Sequence, residues 1–176
     1  MKIVGLFLAA SAALLAAGPA FAQDGGKGTF SGFRVGRLVG ATGGNFGGFD
    51  GSFTYGANVG YDVDTQGAVI GVTGEYSDVS DKNFGRDLAL TLRAGGKIGK
   101  RGLLYGLAGY SNVSVNTSAL IGHDVHLSGV RVGAGGEIAV ANNVYVNLEE
   151  RYSSYERKFG VKVHSWQTVA SVGFRF

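Results

Sequence analysis

The chain has 176 residues, of which 32 are glycine, one is proline and none is cysteine. The lack of cysteine excludes disulfide bonds, thiolate metal sites and a cysteine nucleophile. Charged residues make up 16%, against about 25% in typical soluble domains, while 45% of residues are hydrophobic and the formal net charge is +3. The composition therefore excludes a charged disordered chain, and the scattered basic residues give no indication of nucleic-acid binding.

Residues 1–22 have the features of a secretory signal peptide. An apolar run covers 3–17, and the sequence Ala20-Phe21-Ala22 forms a small-x-small cleavage site. The pattern predicts cleavage after Ala22, which leaves a short leader at 23–29. A retained N-terminal membrane anchor is the alternative interpretation of the same apolar run.

Alternation of apolar and polar residues predicts eight β-strands in the rest of the chain. Within 52–63, for example, Phe53 and Tyr55 alternate with Ser52 and Thr54, and the pattern continues to the end of the stretch. A period of two over eight or more residues is typical of strands with two chemically different faces. The predicted strands cover 30–41, 52–63, 68–77, 88–98, 103–115, 130–138, 144–154 and 163–176.

The connections between these strands alternate in length. The short connections, rich in turn-forming residues, are 64–67, 99–102 and 140–143. The longer, polar connections are 42–51, 78–87, 116–127 and 155–162. Short turns at one end and long loops at the other predict an up-and-down meander, with 30–176 forming a single domain.

The apolar faces of the strands are expected to point outward into lipid. The polar faces are rich in glycine, serine and threonine, and the apolar faces are long enough to cross a hydrocarbon layer. Strand edges are not tolerated in lipid, so such strands must close on themselves. The sequence thus predicts an all-β, eight-stranded, antiparallel transmembrane β-barrel. Its expected interfacial aromatic girdle is Tyr61, Tyr76, Tyr105, Tyr152 and Trp166.

The end of the chain carries a resemblance to a known family. The final residues Ser171-Val-Gly-Phe-Arg-Phe176 and the stretch 143–152 (NVYVNLEERY) resemble the small eight-stranded outer-membrane barrels of the OmpA-transmembrane-domain, OmpX and opacity-protein type, within the porin-like barrels. The resemblance implies a monomer in the outer membrane of a Gram-negative cell, surrounded by lipid and lipopolysaccharide. It also implies that Phe174 and Phe176 are recognised by the barrel-insertion machinery.

Charged residues on the inward faces are expected to fill the lumen, since an eight-stranded barrel is only wide enough to hold side chains. The expected network is Glu75, Arg93, Arg131, Glu149 and Arg151, with Lys97 and Glu137 on the same inward faces. The first strand leaves open whether Arg34 or Arg37 points inward, and the role of Glu150 is also open. A salt-bridged plug is the main hypothesis, and a narrow channel for small ions or solutes is the alternative.

The spacing of one histidine and one serine resembles a catalytic motif. His126-x-Ser128 on an outward face resembles the arrangement in lipid A deacylases, where histidine deprotonates a serine nucleophile. That motif has asparagine after the serine, whereas Gly129 stands here, and the outward acid Glu150 is expected to be too far along its strand. We therefore expect no enzyme, no cofactor and, for His123, His126 and His164, no metal site. The expected role is structural or surface-interacting, with an unknown extracellular ligand bound by the loops.

Overall fold

The computed structural model describes residues 30–44, 52–65, 67–80, 84–115, 125–156 and 163–176. The predicted signal peptide 1–22 and the leader 23–29 lie outside the described residues. The described chain forms eight antiparallel strands that close into one barrel in sequence order, which confirms the predicted fold class. The strands are β1 Gly32–Gly44, β2 Ser52–Asp64, β3 Ala68–Val79, β4 Phe84–Ile98, β5 Gly102–Val115, β6 Val125–Ala139, β7 Val144–Tyr155 and β8 His164–Arg175.

Several strands extend further than alternation alone predicted. β1 continues to Gly44, β4 begins at Phe84 and β6 begins at Val125, so the corresponding long connections are shorter than expected. Ladder pairs such as Gly44↔Ser165 hold these extensions. Backbone pairing does not require an apolar face, so it continues where the side-chain pattern has already stopped. Among the described residues, no helix is long and apolar enough to cross a membrane.

The two ends of the barrel differ. The turn end carries the three short connections together with the start of β1 and the finish of β8, and the loop end carries the long connections. At the turn end, Phe33 and Phe176 exchange two backbone hydrogen bonds of 3.2 and 2.9 Å. Gly32 has a φ of 122°, and a Cβ there would collide with the carbonyl oxygen of Phe176. Only glycine therefore fits this point of the β1–β8 seam.

The outer surface is apolar and carries two bands of exposed aromatic residues. Phe33, Tyr61, Phe174 and Phe176 lie near the turn end. Phe53, Tyr55, Tyr76, Tyr110 and Trp166 lie toward the loop end, together with the half-buried Tyr152. Aliphatic side chains such as Val59, Leu90 and Leu92 cover the surface between the bands. This arrangement is typical of a lipid-facing barrel wall.

β5 presents the opposite face from the one that the sequence predicted. Tyr105 is expected in the lipid-facing girdle, but it is buried inside the barrel together with Leu103 and Leu107, while Leu104 and Tyr110 point outward. The assignment of Tyr105 to the aromatic girdle is therefore wrong. Both faces of β5 carry large apolar side chains, so alternation could not distinguish them. The pairing of β5 with β4 and β6 decides which face is inside.

The structure also decides the orientation of β1 and of Glu150. Arg34 is buried in the lumen, and Arg37 points outward from the middle of β1. Glu150 lies on the outer face of β7. Both of its carboxylate oxygens accept a hydrogen bond from the Thr168 hydroxyl group on β8, at 2.8 and 3.0 Å. Among the described residues, the outer wall therefore carries Arg37 and Glu150 as charged residues away from the ends of its strands.

Candidate functional site: the charged lumen

A cluster of five charged residues lies in the lumen near the turn end. Arg93 donates three hydrogen bonds: two to the carboxylate of Asp62, at 2.9 and 2.5 Å, and one to Glu137 at 2.8 Å. Arg175 Nη2 bridges the same two carboxylates at 2.9 and 2.6 Å. Arg34 Nε lies 2.6 Å from Oδ2 of Asp62, although its N–H does not point at that oxygen. We call these residues the turn-end cluster.

Aromatic rings support the arginines of the turn-end cluster. The guanidinium carbon of Arg93 lies 4.7 Å from the ring centre of Tyr105. Those of Arg34 and Arg175 lie 5.7 and 5.6 Å from the ring centre of Tyr145. A guanidinium is weakly hydrated and stacks readily on aromatic faces. These contacts partly compensate for the loss of water around the buried arginines.

A second cluster of charged residues lies nearer the loop end. Arg151 donates two hydrogen bonds to Glu75, at 2.6 and 2.7 Å, and one from Nε to Glu149 at 2.7 Å. Arg131 forms an ion pair with Asp87, and its Nη1 lies 3.6 Å from Oε1 of Glu75. The two-pronged contact of Arg151 with Glu75 fixes both side chains, because a guanidinium matches a carboxylate in shape. We call these residues the loop-end cluster.

The two clusters carry opposite excess charges. The turn-end cluster has three arginines and two carboxylates, whereas the loop-end cluster has two arginines and three carboxylates. The formal charges of the two clusters therefore cancel. A further pair, Lys97 and Asp64, lies 2.8 Å apart near the turn-end mouth and adds no net charge. Buried ions are costly unless they are paired, and here the pairing balances over the whole lumen.

Tyr105 connects the two clusters. Its ring lies beside Arg93 of the turn-end cluster, and its hydroxyl group donates a 2.5 Å hydrogen bond to Oε1 of Glu149 in the loop-end cluster. The five residues that the sequence proposed as one network, Glu75, Arg93, Arg131, Glu149 and Arg151, all lie inside the barrel. Four of them belong to the loop-end cluster, and Arg93 belongs to the other.

Sequence reasoning missed three members of these clusters: Asp62, Asp87 and Arg175. Asp62 and Arg175 alternate with lipid-facing neighbours, so strand parity alone could have placed them inside. Asp87 was assigned to a long connection, because β4 begins earlier than its apolar pattern does. Sequence reasoning therefore missed Asp87, because this residue precedes the part of β4 in which apolar and polar residues alternate.

Two groups of apolar side chains pack beside the charged clusters inside the barrel. Near the turn end, Phe30, Val69, Leu103 and Leu107 pack together with Tyr105. Phe30 precedes β1 and is fully buried, with the Arg175 guanidinium 5.4 Å from its ring centre. Near the loop end, Val113, Leu127 and Tyr155 pack with Val163. These apolar residues are level with charged ones, since Leu107 is directly opposite Arg93 and Val113 is directly opposite Asp87 on the neighbouring strand.

The outward His/Ser spacing lies on β6. The Ser128 hydroxyl group accepts a 3.0 Å hydrogen bond from the Asn112 side chain. In the β6–β7 register, Glu150 is opposite Ala134. The residue level with Ser128 is Glu156, and its backbone N–H donates a 3.0 Å hydrogen bond to the Ser128 carbonyl oxygen. The prediction that Glu150 is remote from Ser128 thus agrees with the register, but it overlooked Glu156.

The three histidines are not all described. His123 and the His126 side chain lie outside the described residues, and the Nδ1 atom of His164 lies 2.6 Å from the Tyr152 hydroxyl oxygen. Across the described ranges, no three histidine, aspartate or glutamate side chains form a group suited to a metal ion.

Comparison with known proteins places this barrel in a family. The model of the outer membrane protein beta-barrel domain matches residues 7–176. The chain belongs to that family. Its members are barrels of the outer membrane, which implies the same location for this chain. A search of the curated proteins gave no match.

Solved structures with the same fold have different activities. Neisserial surface protein A (NspA) is 20% identical over 83% of this chain and 98% of its own, with a TM-score of 0.60. Ail, the attachment invasion locus protein of Yersinia pestis, solved with the heparin analogue sucrose octasulfate, is 17% identical over 83% and 97%, with a TM-score of 0.55. The outer membrane enzyme PagL is 16% identical over 78% and 97%, with a TM-score of 0.52. At these identities the likeness establishes the fold alone.

Proposed function

We propose that this protein is a monomeric outer-membrane barrel with a sealed lumen and a structural or surface-interaction role. The observation that supports this proposal is the balanced charge of the lumen, in which buried arginines and carboxylates are paired with one another. A conducting pore needs a continuous hydrated path, whereas these side chains bond to one another across the barrel. The turn end then faces the periplasm, and the long loops at the other end are the surface for extracellular ligands.

Planar-bilayer conductance of the purified barrel tests the sealed lumen. We expect no unitary current steps from the wild-type protein, because the ion-paired side chains interrupt any water column. The variant Arg93→Ala removes three hydrogen bonds from the turn-end cluster and should open steps or raise the leak current. Regular steps from the wild-type protein would contradict the plug and support the narrow channel.

The narrow channel has one observation in its favour. Several buried polar atoms have no hydrogen-bond partner among the described residues: Ser77 Oγ, Asp87 Oδ1, Asn147 Oδ1 and Gln167 Oε1. Buried polar groups are normally satisfied by protein or by water. Ser77 and Asp87 are directly opposite each other on β3 and β4, so water near this pair is the first place where a path would begin. The same conductance measurement decides between the two functions.

A lipid-modifying hydrolase is a further candidate, because Glu156 is level with Ser128 and Asn112 already bonds its hydroxyl group. Acyl hydrolysis uses a serine nucleophile, a histidine that takes its proton, an acid and an amide donor, and His126 stands two residues before Ser128. We favour a barrel without turnover, since the Ser128 hydroxyl group has Asn112 as its described partner. Lipid A from cells expressing the wild type or Ser128→Ala should have the same acyl-chain composition by mass spectrometry. Loss of one acyl chain with the wild type only would establish the hydrolase instead.

A further inference from the structure

The outer wall has a groove across β2, β3 and β4. The groove has a volume of about 580 Å³, and its exposed lining is almost entirely apolar. Gly74 and Ala57 form its floor, and Val59, Leu90, Tyr76 and Tyr110 form its sides. It lies in the half of the wall nearer the loop end, beside the loop-end aromatic band.

The groove exists because small residues are diagonal neighbours on adjacent strands. Gly74 pairs with Val59 on one side and Leu90 on the other, while Ala57 pairs with Tyr76. A Cβ added at Gly74 would meet only one Val59 methyl group, at 3.8 Å, which is ordinary contact. The backbone therefore does not require glycine at position 74. The effect of glycine there is to leave space open between the larger neighbouring side chains.

The surroundings limit what can occupy this groove. The wall faces lipid, so the available occupant is a hydrocarbon chain rather than water or a polar ligand. Arg86 is exposed two residues before Leu88 on β4, on the loop-end side of the groove and within the irregular stretch between Phe84 and Asp87. The nearby carboxylate of Asp78 on β3 accepts the backbone N–H of Val79 at 2.8 Å. An exposed guanidinium just above an apolar groove matches a lipid with a phosphate next to its acyl chains.

We propose that this groove binds one acyl chain of lipopolysaccharide, with a lipid A phosphate at Arg86. The assignment to lipopolysaccharide rests on the proposed orientation, in which the loop-end half of the wall lies in the outer leaflet. Binding of an acyl chain in a fixed groove needs no change in the barrel, because the floor is already open. Arg86 then provides the charge contact, while Gly74 provides the space.

Native mass spectrometry of the detergent-solubilised barrel, titrated with rough lipopolysaccharide, tests the site. Gly74→Leu fills the groove, and it should weaken binding by about tenfold, which corresponds to about 1.4 kcal/mol. Gly106→Leu is the matched control, because Gly106 is also exposed on the wall and its Cβ would meet only one carbonyl oxygen at 3.8 Å. Arg86→Gln should weaken binding about threefold to tenfold, while Arg37→Gln removes an exposed arginine outside the groove and should leave binding unchanged.

Equal weakening by Gly74→Leu and Gly106→Leu would overturn the site, because the effect would then belong to the whole lipid-facing wall. Unchanged binding in Gly74→Leu would overturn it as well. Tight binding of phosphatidylglycerol with the same dependence on Gly74 would overturn the lipopolysaccharide assignment. The purified protein is used, so none of these outcomes depends on conductance or on orientation in cells, which test the proposed function separately.

Discussion

The Tyr105 hydroxyl group donates a 2.5 Å hydrogen bond to Oε1 of Glu149, across the lumen from β5 to β7. The same ring lies 4.7 Å from the guanidinium carbon of Arg93. Tyr105 is therefore in contact with both charged clusters. Tyr105 thus links the turn-end cluster, which has one excess positive charge, to the loop-end cluster, which has one excess negative charge.

Tyr105→Phe should lower the free energy of unfolding by about 1–3 kcal/mol, because it leaves one oxygen of a buried carboxylate without its main donor. Equilibrium unfolding in urea, with the barrel in lipid vesicles, measures this change. Tyr110→Phe is the control, since the exposed Tyr110 lies on the same strand but faces outward. Equal effects of the two substitutions would show that the Tyr105 hydrogen bond contributes nothing specific.

Arg34 and Arg37 on β1 should respond in opposite directions to the same substitution. Arg37→Leu should raise the free energy of unfolding by about 1–3 kcal/mol, because a lipid-facing charge in mid-strand is costly. Arg34→Leu should lower it by up to about 3 kcal/mol, because it removes one of three arginines from the buried Asp62. Unfolding of both variants in vesicles measures the changes, and destabilisation by Arg37→Leu would mean that Arg37 has a stabilising partner.

Phe176→Ala should sharply reduce the amount of folded barrel in the outer membrane, because the resemblance assigns this ring to recognition by the insertion machinery. The substitution keeps the backbone hydrogen bonds between Phe33 and Phe176, whereas deletion of the residue would remove them. Heat-modifiable migration of the protein in outer-membrane fractions provides the readout.

Tyr61→Ala is the control for Phe176→Ala, because Tyr61 is an exposed aromatic at the same turn end. Both purified variants should refold in detergent micelles, since each loses one exposed ring. Similar losses in cells for the two variants would leave only an interfacial anchoring role for Phe176.

Protease added to intact cells should cut the protein only in its long loops, such as those containing Lys82 or Arg157 and Lys158. These positions lie outside the described residues. The short turn with Lys100 and Arg101 joins β4 and β5 at the opposite end of the barrel and should be protected until the outer membrane is permeabilised. Mass spectrometry of the fragments identifies the sites, and a cut after Lys100 in intact cells would reverse the orientation.

The sequence alone determined the number of strands, their order and the membrane-facing character of most of them. A strand such as β2 has Val59 and Tyr61 on one face and Asn58 and Asp62 on the other, so its period of two assigns both faces without further information. Because short and long connections alternate along the chain, each strand is expected to pair with the next one, which gives an up-and-down meander. The inward position of Arg93, Arg131 and Arg151 follows from the same parity.

Only the tertiary structure decided the facing of β5, the choice between Arg34 and Arg37, and the division of the lumen into two clusters. β5 has leucine and tyrosine on both faces, and β1 has an arginine on each, so the local pattern is symmetric and carries no preference. The ladder pairs with neighbouring strands break that symmetry, because directly opposite residues point to the same side of a sheet. Contacts across the lumen, such as Arg93 with Asp62 or Tyr105 with Glu149, depend on the closed register of all eight strands. The sequence pattern of a single strand does not encode this register, because the register is fixed only when β1 pairs with β8 and the barrel closes.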